Sequence, residues 1–330
     1  MCSPPEGAAN DRIEVDDADL DSTYAESTVT DTTSLRSSIL QYKWENGRRY
    51  LGDGWSENKY WGPNDERQQV AEDLSHQIYT LVSGGLYEAP ISNPERVLDV
   101  GCGTGAWVID FADEHPSAEV TGVDISPIQP SFIPPNVRFE VDDINKPWTF
   151  PSDYFDYVHI RTMLGTVSDW TQFYKSALNH VKPGGWFEQV EVNITPMSDD
   201  DSIPHGGALE KWPVLYDQVG ERIGVTFRAA QLAAQSMRQA GLVNVAERIV
   251  KVPVGPWPKD KRLKTWGQWF QYFILEGLEG FGLRSFTDVL GWSYEEAQLY
   301  LVDVRKETLD SNVHQYSEIR IVYGQKPTQE

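Results

Sequence analysis

Short apolar runs alternate with amphipathic stretches through the middle of the chain. Runs at 96–100, 119–124, 137–141, 154–160 and 185–192 predict strands, and the 3.6-residue apolar spacing at 107–114 and 170–180 predicts helices between them. Lys182-Pro183-Gly184-Gly185 is a stop signal for the second of those helices. Strands alternating with helices in this way build a parallel sheet covered on both faces, so the predicted class is α/β of nucleotide-binding type. Upstream, Val70, Leu74, Ile78, Leu81 and Val82 recur at helical spacing after Pro63-Asn64-Asp65, where Asn64 or Asp65 supplies the cap. Downstream, helices are expected over 208–223 and 228–241, then a β-branched run at 243–254. A helical insertion spanning about 256–310, with its helical pattern at 263–309, precedes a last strand at 319–323. Pro253, Pro256 and Pro258 mark a rigid crossover within one domain. The expected organisation is an acidic tail at 1–34, an N-terminal helical or lid segment at 35–90, and the main domain at 91–330.

Composition changes this picture in three places. Residues 1–34 carry nine acids against the single Arg12 and few large apolar side chains, too little burial to offset ordering, so the tail is expected to be disordered. The formal net charge of −22 would repel a phosphate backbone, which argues against direct nucleic-acid binding. Cys2 and Cys102 form no disulfide framework, and no apolar run reads as a secretory leader or a membrane span. A protein of the cytoplasm, the nucleus or both is expected.

Chemistry concentrates at 97–107, where the strand Val97-Leu98-Asp99-Val100 runs into Gly101-Cys102-Gly103-Thr104-Gly105 and then a helix. Glycines let the backbone turn sharply and approach a ligand closely. A second strand ends in Asp124, an acid placed to bond both hydroxyls of a ribose at the sheet's carboxyl edge. Gly101 to Ala106 also satisfies a dinucleotide pattern. Asp99 weighs against that reading, because at the strand tip it suits the ammonium of a methionine moiety and opposes a pyrophosphate. Asp142-Asp143 after the strand at 137–141 supplies an acid where an adenine amino group would lie. The favoured ligand is therefore S-adenosylmethionine, with a nicotinamide or flavin dinucleotide as the alternative.

With that turn on the page, further segments carry a resemblance. Gly47-Arg48-Arg49-Tyr50, Pro63-Asn64-Asp65, Val123-Asp124-Ile125-Ser126-Pro127, Pro147-Trp148-Thr149-Phe150, His159-Ile160-Arg161, Lys182-Pro183-Gly184-Gly185-Trp186, Gly255-Pro256-Trp257-Pro258-Lys259 and Leu290-Gly291-Trp292-Ser293 together resemble the fungal LaeA-like, or TAM-domain, methyltransferases over about 40–327. The resemblance implies a class I methyltransferase sheet of order 3-2-1-4-5-7-6 with the seventh strand antiparallel. It also implies cofactor contacts from Asp99, Gly101, Cys102, Gly103, Gly105, Asp124, Ile125, Asp143 and Ile144. One segment departs: where the family often reads Arg-Leu-Asp-Leu-Gln-His, this chain has Ala71-Glu72-Asp73-Leu74-Ser75-His76.

Methyl transfer asks mainly for alignment, and for a base only when the acceptor atom carries a proton. His159 is the candidate base and cofactor neighbour, with a packed core histidine as the competing role. Arg161 is the candidate for orienting substrate. Tyr50 and Tyr60 are candidates to cover the methionine end, and Arg48 to meet its carboxylate, with plain packing or surface exposure as the competing role for each of the three. The histidines lack paired metal-ligand spacing, so a metal-independent enzyme is expected. Aromatic residues of the insertion (Trp257, Trp266, Trp269, Phe270, Tyr272, Phe273, Phe281) either wall an apolar substrate pocket or form the insertion's own core, and the acceptor is expected to meet this side. The leading function is methylation of a small molecule such as a secondary metabolite. The alternatives are a nuclear regulator of secondary metabolism acting with a protein partner, and a cofactor-binding protein without transfer activity.

Overall fold

The computed structural model describes residues 42–52 and 60–328. The chain opens with a hairpin, β1 (Tyr42–Glu45) and β2 (Arg48–Leu51), which sequence periodicity did not anticipate. Its turn is Asn46-Gly47, both at positive φ, the residue pair that a two-residue hairpin turn favours. Helix α1 (Glu66–Ser83) follows, capped by Asp65, whose side chain accepts from the Gln68 amide, and closed by Gly84 in the left-handed region.

Seven strands then form one sheet: β3 (Arg96–Val100), β4 (Glu119–Asp124), β5 (Val137–Val141), β6 (Phe155–Arg161), β7 (Val181–Val192), β8 (Val243–Pro253) and β9 (Tyr316–Gln325). Their order is β5-β4-β3-β6-β7-β9-β8, with β9 antiparallel to both neighbours. Counted from β3, this is the expected 3-2-1-4-5-7-6. Helix α2 (Ala106–Glu114) leaves the glycine turn, α3 (Trp170–Leu178) and α5 (Ala229–Ala240) cover the sheet, and α4 (Ala208–Ile223) packs against the insertion. The insertion is α6 (Lys261–Arg284), a π-helical turn at Ser285–Val289, and α7 (Tyr294–Leu309), which starts with a full capping box at Ser293 and Glu296.

Apolar packing on both faces of the sheet explains why its strands are so continuous in hydrophobic residues. Leu98, Ile160, Phe187 and Val322 pack with α3, α4 and α5, while Val97, Val120 and Tyr157 pack with Trp107 and Phe111 of α2. A third cluster joins α1 to α6 through Ala71, Ile78, Phe270 and Phe273. Gly280 permits that approach, since a Cβ there would press on Gln68 of α1. No helix among the described residues is long and apolar enough to cross a membrane.

Candidate functional site

The carboxyl ends of β3, β4 and β6 open into a cavity of about 550 Å³ roofed by α1 and walled further out by α4, α6 and α7. The turn beneath it has Gly101, Gly103 and Gly105 all at positive φ. Side chains are barred here on two counts: the backbone conformation disfavours them, and a Cβ would collide with Met163 at Gly101 or with the Phe139 ring at Gly105. The amides of Gly101 and Cys102 both donate to the Val123 carbonyl, at 2.8 and 3.0 Å, which pins the turn against β4.

Asp124 ends β4 with its carboxylate facing the turn. It accepts from the Gly103 amide at 2.9 Å and the Ser126 amide at 2.8 Å, one bond to each oxygen. Burial nevertheless lifts its pKa to about 6, with those amides pulling the other way. Asp143 organises the next turn by accepting from the Asn145 amide at 3.0 Å, and the Trp148 indole fixes Ile144 by donating to its carbonyl at 3.0 Å. Cys102 is buried, and its thiol is pushed well above its usual value by that burial. It is no nucleophile at neutral pH.

Across the cavity α1 presents Gln68, Glu72, Ser75 and His76. Glu72 has its pKa pushed up to about 8 by burial first and by the Asp124 charge second. His76 links two elements: its Nδ1 accepts from Arg161 Nη2 at 3.1 Å, so its Nε2–H donates to Asp110 Oδ2 at 2.8 Å. Burial and the Arg161 charge hold His76 neutral by lowering its pKa. Arg161 lies over the Tyr79 ring, 5.3 Å from its centre. Burial lowers its pKa, yet a guanidinium keeps its charge in such a place. The outer part of the cavity is apolar and aromatic, lined by Leu209, Trp212 and Tyr216 of α4 and Phe270, Phe273, Ile274 and Leu278 of α6.

A family model described as a methyltransferase domain matches residues 69–247. Methyltransferase pytC of Aspergillus terreus is 37% identical over 320 residues, 96% of each chain. The chain belongs to the LaeA- and pytC-type fungal methyltransferases. Secondary metabolism regulator LAE1 of Cochliobolus heterostrophus is 36% identical over 86% of this chain and 95% of its own. Protein-methionine methyltransferase laeA of Emericella nidulans is 34% identical over 89% and 79%. Among solved structures, Haemonchus contortus phosphoethanolamine N-methyltransferase 2 aligns at 17% identity over 82% of this chain and 55% of its own, with a TM-score of 0.43, a likeness that adds nothing to what the sheet order already establishes.

In this methyltransferase the sequence-derived candidates separate into two groups. Asp99, Gly101, Cys102, Gly103, Asp124, Ile125, Asp143, Ile144, Tyr60 and Arg161 all line the cavity. Gly105 stands just behind it as the first turn of α2 begins. Three others lie elsewhere. Tyr50 is 1% exposed and packs under the Arg284 guanidinium, 4.6 Å from its ring centre. Arg48 is buried outside the cavity lining, with Nε and Nη2 donating to Asp65 at 2.6 and 2.9 Å. His159 is 1% exposed, stacked 4.0 Å from Trp107, with Nδ1 2.8 Å from Asp99 Oδ1. Burial lowers its pKa. It is a neutral ring donating to Asp99 from behind the cavity wall, which corrects its expected place as a base.

Two more expectations shift. Only Phe270, Phe273 and Phe281 of the predicted aromatic wall reach the cavity; Trp269 and Tyr272 face solvent and the Trp257 indole donates to the Gln315 carbonyl at 3.0 Å. Along α1, Val70 and Leu81 are exposed, whereas Gln68, Ser75 and His76 are buried. The helix is rotated from its apolar pattern because its buried face is partly the polar roof of the site. Glu72 and His76 are the functional candidates that sequence reasoning missed. Their signal was polar residues at spacings of four (Gln68, Glu72, His76) inside a helix otherwise read by its apolar positions.

Proposed function

We propose that the cavity seats S-adenosylmethionine along the carboxyl edge of β3, β4 and β5, and that the acceptor is a small apolar molecule, such as a secondary metabolite, methylated without a metal ion. The observation that carries this reading is Asp124: a buried carboxylate, each oxygen held by one backbone amide and each with accepting capacity left for the vicinal hydroxyls of a ribose. When bound, the donor supplies an electrophilic methyl carbon on a sulfonium. The protein's part is placement. Asp99, braced by His159, stands at the strand tip for the donor's ammonium. Arg161, whose hydrogen-bond partner in the protein is the neutral His76, meets the donor's carboxylate in place of Arg48. Asp143 and Ile144 border the adenine position, and Tyr60 covers the seat.

The acceptor side follows from the lining. Trp212, Tyr216, Phe270, Phe273 and Ile274 offer rings and methyl groups, surfaces that bury an apolar molecule and exclude water from the transfer. Among the described residues no group of three or more His, Cys, Asp or Glu is arranged to hold a metal. The test is calorimetric titration with S-adenosylhomocysteine and, separately, with NAD. Micromolar binding of the first and none of the second is expected; the reverse order of affinity would remove the assignment.

A further inference from the structure

Resting on that seat, Glu72 stands out as a group nothing in the protein explains. It projects from the second turn of α1 into the cavity, directly over the glycine turn: a Cβ on Gly103 would sit 2.8 Å from its Oε2. That oxygen is buried and has no hydrogen-bond partner among the described residues. Gln68 and the Thr104 amide are its polar neighbours, and the titratable groups facing it are Asp124 from β4, Asp73 on its own helix, and Tyr60 and Cys102 beside it. Among the described residues no ion pair reaches it, and Arg48 on the neighbouring hairpin pairs with Asp65. Two carboxyls sharing one small space do not both ionise; Asp124, with two backbone amides, keeps the charge, and Glu72 keeps the proton. The protein thus holds a carboxylic acid with an unmade hydrogen bond, aimed where a ribose resting on Asp124 would lie, and leaving such a group unsatisfied is costly unless a ligand completes it.

We propose that Glu72 is a cofactor-positioning residue: as the neutral acid it donates to a ribose hydroxyl whose own proton goes to Asp124, so that the sugar closes a hydrogen-bonded chain between α1 and β4. A chain of this form carries one negative charge and leaves no polar atom of either acid facing a like charge. It also ties roof to floor, so the donor's arrival would tighten α1 onto the glycine turn.

The sign of the pH dependence follows. If the bound state uses the protonated acid, affinity falls as pH rises through the free-state value of about 8. The experiment is calorimetry with S-adenosylhomocysteine on the full chain and on E72Q and E72L. E72Q keeps a permanent donor and is expected to bind within about threefold of wild type at neutral pH, while E72L loses about tenfold. Between about pH 7 and about pH 9.5 the wild type should weaken about tenfold relative to E72Q, the ligand's own ammonium titrating alike in both and cancelling in the ratio. E72L binding as tightly as wild type, or a wild-type to E72Q ratio that stays flat across that range, would overturn the proposal. Should E72L fail to fold, the E72Q ratio still decides it. D124A separates the levels: if S-adenosylhomocysteine binds wild type and needs Asp124, but the Glu72 arms fail, only this inference falls. If wild type ignores the ligand, the cofactor seat itself is wrong.

Discussion

The two ends of the cavity are held by different physics. At the sheet edge the wall is backbone: three glycines at positive φ, amides pinned to the Val123 carbonyl, and acids whose oxygens are aimed by single N–H groups. At the far end the wall is built from side chains, those on α4 and α6 mostly apolar and interchangeable in size, with Thr308 and Gln315 among its polar lining residues. A backbone-built site tolerates few residues at each position and therefore recognises one ligand. A wall of Phe, Ile, Leu and Trp can be repacked with modest loss, so it can be retuned for different acceptors without disturbing the donor. Relatives that share the first end need not share a substrate.

Substitutions at each end test that division. The largest effect is expected for D124A, which removes the proposed acceptor of both ribose hydroxyls and should weaken S-adenosylhomocysteine about a hundredfold by calorimetry. Equal binding by this variant would break the comparison at its polar end. Next, I274W fills the apolar end and should raise the acceptor KM about tenfold while leaving S-adenosylhomocysteine affinity within about twofold. Loss of cofactor affinity in I274W would show that the two ends are one site.

The smallest effect concerns stability. Burial raises Glu188 to about 7 and Glu191 to about 8. A carboxyl that holds its proton more tightly when folded makes the protein less stable as pH climbs from the unfolded value to the folded one, here from 4.5 to about 8. His76 and His159, whose pKa values are lowered, act in the opposite sense, but their gain is complete once pH passes the unfolded value of 6.5. Thermal unfolding without ligand should therefore drop about 5 °C between about pH 6.5 and about pH 8.5, and E191Q should flatten that slope. A midpoint that rises over this interval would show that the buried acids are paired in a way their surroundings do not suggest.

Legibility followed the range of each interaction. The strands at β3, β4 and β5 and the glycine turn were readable because their causes are local: apolar runs, a turn that needs glycine, an acid at a strand end. The hairpin at Asn46-Gly47 has an equally local cause, the turn pair itself. His159 misled because its position at a strand tip is visible in sequence, whereas the Trp107 ring that seals it off arrives from a helix 52 positions earlier. The face of α1 misled for the same kind of reason: its apolar spacing names a stripe, but which stripe is buried depends on α6 and on the cavity beneath.

What the amino-acid order determined alone is the α/β pattern, the glycine turn and the acid that ends β4, since short-range backbone chemistry dictates all three. The tertiary structure decided which residues share the cavity. It set Arg161 against His76, put Glu72 over Gly103 and turned Arg48 and Tyr50 away, because these meetings depend on how α1, the hairpin and the insertion pack across a sheet whose strands lie far from them in sequence.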